Sequence, residues 1–217
     1  MSRDWRDTLR AAADLALLGI LLTLACLPIV TAGAAVATAS VAVRHFAADD
    51  GWPRAVDIGR TFVRALVPGL GATAVALGAA ALVALDLAAL RSGTVPGGRA
   101  MLVLTAVLAA SGAGFAGLVV ALLPRRSWAY VREMPDLVGN ESKIGAGSWR
   151  RAVRDAASIV AARPATLAAT TGVLAIAAVL AALLHPAVAP VLVGYALYAL
   201  HAVVSGGRVL VRRSRSV

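Results

Sequence analysis

Charged residues fall along the chain in clusters, and long uncharged runs separate the clusters. A helix rises about 1.5 Å per residue, so about 20 apolar residues cross a hydrocarbon core about 30 Å thick. Residues 65–85 and 100–123 reach that length without a charge. Residues 164–207 contain no Asp, Glu, Lys or Arg, and Pro186 and Pro190 divide them into stretches of 164–184 and 190–207. Four transmembrane helices are predicted. The last two are antiparallel neighbours turning at "LLHPAVAP", because each proline forfeits a helix hydrogen bond.

The opening stretch, Ala11 to Val43, is long for one span and short for two. It predicts a helical hairpin over 11–46, with limbs of 12–27 and 31–46 and a bend from Pro28 to Gly33. Each limb measures about 24 Å at the helical rise. Such a hairpin crosses a locally thinned bilayer or stops short as a re-entrant loop. Two further segments are amphipathic. "RAVDIGRTFVRALV" at 54–67 sets Ala55, Ile58, Phe62 and Leu66 against Asp57, Arg60 and Arg64, with Pro68 next. "WRRAVRDAASIVAAR" at 149–163 sets Trp149, Val153, Ala156 and Val160 against Arg150, Arg151, Arg154 and Asp155, with Pro164 next. Both read as interfacial helices that turn at a proline into a span. The polar stretch 135–148 reads as a loop, and Trp128 and Tyr130 before it as interfacial anchors.

Composition agrees. Hydrophobic residues make up 60% of the chain and charged residues 15%, with a mean hydropathy of +0.82. A soluble protein needs more polar surface than that. The net charge of +10 fits basic cytoplasmic loops better than a nucleic-acid partner. If the opening hairpin returns and both termini are cytoplasmic, 19 basic residues lie inside and 2 outside. A single crossing with the amino terminus outside places 16 inside and 5 outside. The returning path is the better one, at about 1 kcal/mol per basic residue near an anionic leaflet. Arg3, Arg6 and Arg10 before the apolar run resemble a signal peptide, but Asp4, Asp7 and Asp14 dilute them, and the segment reads as an uncleaved first limb. A single cysteine, Cys26, excludes a disulfide within one chain.

The expected fold is an all-α polytopic membrane bundle, a single domain over 1–217 with four spans, the proline-broken hairpin and two interfacial helices. Chemistry is sparse. His45, His185 and His201 form no paired motif, and no catalytic, cofactor-binding or metal set is expected. Tyr195, Tyr198 and His201 recur every three residues on the last span as a polar face, for a ligand or for packing. Asp86 is an ionisable group at a span end, serving function or reaching the headgroups. Ala113/Gly117 and Ala74/Gly78 are small-residue pairs suited to close helix packing.

"LALLGILLTLACLPIVTAGAAVATASVAVRHF", "IGRTFVRAL" before a span and "RRAVRDAASIVAARPATL" before the next together resemble the YesL-like family of bacterial integral membrane proteins. The shared features are Leu27-Pro28, the Thr31-x-Gly33 turn and the Arg-rich helix ending in Arg163-Pro164. Ala34 stands where members often carry proline, and 135–148 resembles an insertion. The resemblance implies an accessory role in carbohydrate uptake, beside a sugar ABC transporter or another membrane protein. The expectation is a non-enzymatic, partner-binding protein of the cell membrane. The alternative is a permease subunit carrying solute itself, although the ATPase-docking loop fails: Ala161 and Thr171 stand where glycine and isoleucine are needed. An enzyme acting on lipid substrates lacks an acid–base pair.

Overall fold

The computed structural model describes residues 5–49, 54–92, 98–123, 146–184 and 188–214. Seven α-helices occur among them: α1 (Trp5–Cys26), α2 (Ala32–Asp49), α3 (Ala55–Arg91), α4 (Gly98–Leu122), α5 (Ala146–Ala162), α6 (Pro164–Leu183) and α7 (Ala189–Ser214). No strand is present among these residues. The fold is an all-α bundle. Four helical stretches are long and apolar enough to cross a membrane: 29–46, 55–91, 99–122 and 164–183. Three of them answer to the expected spans. The expected fourth span at 190–207 falls in α7, whose described apolar stretch covers 189–205. The second limb of the opening hairpin, expected at 31–46, is also long and apolar enough.

The bend at Pro28 follows from local chemistry. Residue 28 has no N–H, so the Leu24 carbonyl loses its usual helical donor and takes one from Leu27 N at 3.2 Å. Thr31 Oγ1 reaches the Ala25 carbonyl at 2.6 Å and the Pro28 carbonyl at 2.8 Å. One short turn, Ile29–Thr31, then leads into α2. Thr31→Val keeps the branched shape and removes the hydroxyl. It should cost about 1 kcal/mol, read as a lower unfolding midpoint in detergent micelles.

Gly33 does not form the bend. It lies in the first turn of α2 and marks the crossing with α3 (a Cβ there would fall on the Gly69 carbonyl oxygen).

The expected interfacial helix at 54–67 is not separate. Helix α3 runs unbroken through Pro68 for 37 residues, about 55 Å. Proline inside a helix costs about 3 kcal/mol, and here tertiary contact outweighs that local preference. Ala65, Gly69 and Thr73 are buried on both sides of Pro68, and Gly33 N donates to Thr73 Oγ1 at 2.8 Å. At the second site the turn occurs as expected. Arg163 leaves the helical region at φ −148° and ψ 82°, and Pro164 begins α6, where a missing N–H carries no penalty.

Helix α5 starts at Ala146, so the end of the expected 135–148 loop is helical; Trp128, Tyr130 and the remainder of that loop lie outside the described residues. Its buried face holds Ala152 and Ala156, with Trp149, Ile159 and Val160 packed beside them. Val153, expected on that face, is 43% exposed.

Helix α2 lies in the middle of the bundle, touching α1, α3, α4 and α7. The tightest pairings are α2 with α3, α1 with α7, and α4 with α6, and α6 and α7 lie side by side as expected. Each of the three has a glycine at its crossing. A Cβ on Gly19 would come within 2.8 Å of Gly194 N, one on Gly69 within 3.0 Å of Ala34 Cα, and one on Gly114 within 2.9 Å of Thr171 Cα. Of the expected small-residue pairs, a Cβ on Gly117 would meet Leu174 and Leu200 at 3.2–3.3 Å, while one on Gly78 would meet nothing within 4 Å beyond its own helix backbone.

Packing is uneven along the bundle. The core gathers Leu118, Leu122, Ala156 and Leu200 toward the end where α5 lies, called the basal end below, and extends along α2 to Ala37 and Ala34. Toward the other, distal end, α3 and α4 are bare: Val75 is 74%, Leu82 69% and Leu85 68% exposed. Arg91 lies 22 positions beyond Gly69 on α3, about 33 Å along the axis. The distal part of α3 therefore runs well past the α1–α2 bend.

Candidate functional site

The last residues of α4 create an acceptor with no local donor. Residue 124 is proline, so the Val120 carbonyl has no N–H four residues ahead to accept. Ser40, fully buried in the middle of α2, fills that position: its Oγ donates to Val120 O at 2.8 Å. The same Oγ lies 3.0 Å from His201 Nε2 on α7. His201 Nδ1 is in turn 2.9 Å from the Leu197 carbonyl. Three helices distant in sequence thus meet in one polar chain inside an apolar bundle.

Proton accounting defines what this chain can do. Ser40 has one hydrogen and two acceptors within reach. In one arrangement its hydroxyl caps Val120 and Nε2–H donates to it, which in a neutral imidazole leaves Nδ1 without a hydrogen for Leu197. In the other the hydroxyl donates to Nε2, and Nδ1–H donates to Leu197. A serine beside an imidazole also has the composition of a nucleophile and its base. Here the hydroxyl is buried and reaches Val120, and its contacts link α2, α4 and α7.

The residues singled out by the last-span pattern have separate surroundings. Tyr195 Oη donates to the Ala12 carbonyl of α1 at 3.0 Å. Tyr198 is 38% exposed, and His201 turns inward to Ser40. Asp86, at the distal end, accepts from Thr105 Oγ1 of α4 at 3.0 Å and ties the two long helices together. Pro28 sits in the bend, and Gly33 at the α2–α3 crossing. His185 lies outside the described residues, and no group of three potential metal ligands occurs among the described ones.

Ser40 escaped the sequence reading. Its partners are 80 and 161 residues away, and the one local signal was Pro124 at the end of an apolar run. Two buried polar atoms, Trp149 Nε1 and Thr171 Oγ1, have no hydrogen-bond partner in the described structure. The second lies at the α4–α6 crossing, where it occupies the space a Cβ on Gly114 would take.

Comparison with protein-family models, curated proteins and solved structures finds no match to the chain.

Proposed function

We propose that the protein is a multi-pass, non-enzymatic accessory component of the cell membrane that binds a partner involved in carbohydrate uptake. The observation that carries this reading is the bare apolar surface of α3 and α4 at the distal end, with Val75, Leu82, Leu85, Val103 and Leu108 exposed. Water does not tolerate so large an apolar surface, whereas lipid or another membrane helix does. Arg10, Arg44, Arg64 and Arg163 stand at the basal ends of their apolar stretches, against Arg91 and Arg99 at the distal end. That asymmetry supports a cytoplasmic basal end with both termini inside. The YesL-like resemblance supplies the link to sugar uptake, and that link is one of association.

Affinity purification from native membranes in mild detergent tests the reading. Co-isolation with subunits of a sugar-uptake permease is the expected result. A protein that reproducibly purifies without any such subunit, at native expression level, is not an accessory of that system. Orientation is checked separately by cysteine labelling: residues 49–57 should react only after the membrane is made permeable.

A second reading, solute carriage by the chain itself, draws on the tyrosine face of α7, where Tyr195 and Tyr198 are exposed. It requires solute flux in reconstituted vesicles that is lost in Tyr198→Phe.

A further inference from the structure

We infer that one flank of α5 seats the headgroup of an anionic phospholipid. Helix α5 buries Ala152 and Ala156 against the basal core, with Trp149, Ile159 and Val160 beside them. At about 100° per residue, its remaining positions fall into two flanks of different character. Val153, Ala157, Arg150, Ala161 and Arg154 share one, and Ser158, Arg151, Ala162 and Asp155 the other; all nine are exposed. The second flank is polar and acidic enough for water.

The first flank mixes two guanidinium groups one turn apart with three apolar side chains. That is the composition of a helix lying at the boundary between headgroups and acyl chains. Arg150 and Arg154 offer planar forks matched to phosphate oxygens. Val153, Ala157 and Ala161 beside them have no use for a free phosphate, but they suit the glycerol backbone and first methylenes of a lipid. The neighbouring element agrees. Helix α3 touches α5 and carries Arg60, exposed, two turns before Val67, which is 79% exposed. On the helix that α5 touches, a basic group thus stands beneath an exposed apolar one, at headgroup depth in the membrane placement proposed above. The inference rests on that placement, and the test below runs in micelles so that either can fail alone.

The full chain in neutral maltoside micelles is titrated with phosphatidylglycerol, phosphatidylcholine and sn-glycerol 1-phosphate, and binding is read by native mass spectrometry. Saturable binding of phosphatidylglycerol is expected, with little binding of the other two. Arg150→Gln/Arg154→Gln should weaken it about thirtyfold, and Val153→Asn should weaken it severalfold. Arg151→Gln on the opposite flank should leave it unchanged and serves as the control for charge. Equal binding of phosphatidylcholine, equal binding of the soluble phosphate, or equal losses in Arg151→Gln and the double variant would each overturn the proposal. Because the altered side chains are exposed, a size-exclusion profile matching the parent protein confirms that a loss of binding is not a loss of fold.

Discussion

Gly33→Ala and Gly69→Ala should each destabilise the bundle by about 2–3 kcal/mol, although alanine is the better helix former by about 1 kcal/mol. The sign is set by what the added methyl meets. At Gly33 it falls on the Gly69 carbonyl oxygen and within 2.8 Å of Thr73 Oγ1, and at Gly69 it comes within 3.0 Å of Ala34 Cα. Backbone cannot swing aside as the end of a flexible side chain can. Separation of α2 from α3 would also strand a donor, because Gly33 N, one of the first N–H groups of α2, is satisfied by Thr73 Oγ1. Gly78→Ala is the control on the same helix: the added methyl would meet nothing within 4 Å beyond its own helix backbone, so only propensity acts and the variant should match or exceed the parent. Thermal unfolding in detergent micelles, followed by circular dichroism, reads all three. Equal behaviour of Gly69→Ala and Gly78→Ala would mean that α2 and α3 do not cross at these glycines.

Ser40→Ala should cost about 1–3 kcal/mol, the penalty for leaving a buried acceptor without a partner. Val120 O loses its donor and His201 loses its neighbour in one step. His201→Ala should cost a comparable amount through the contact with Ser40 and the space left behind. The decisive quantity is the coupling between the two positions. In a double-mutant cycle the combined loss should fall short of the sum by at least about 0.5 kcal/mol, since the second change removes a contact already broken. Additive losses would separate the two residues.

Much of this architecture was legible in the sequence wherever one residue's own chemistry decides the outcome. The bend at Pro28 and the corner at Pro164 both follow from a proline's missing N–H and from a neighbouring segment that needs a new direction. The uncharged runs likewise marked α4 and α6 nearly to the residue. What depends on distant neighbours was not legible. Pro68 has the same local chemistry as Pro164, yet α3 continues through it because α2 holds Ala65, Gly69 and Thr73 in line. Spacing could not tell Ala152 from Val153 as the buried residue of α5, because the two flank the stripe of Trp149, Ala156 and Val160 and the neighbouring helices decide between them. Small-residue spacing pointed to Ala74/Gly78, whereas the crossings use Gly19 with Gly194 and Gly33 with Gly69, pairs that spacing within one helix cannot reveal. The Ser40–His201 contact spans 161 residues and has no local signature at all.

The unequal filling of the bundle has a mechanical consequence. Val75, Leu82 and Leu85 of α3 have little of the described chain against them, so the distal half of that helix depends on its surroundings for lateral support.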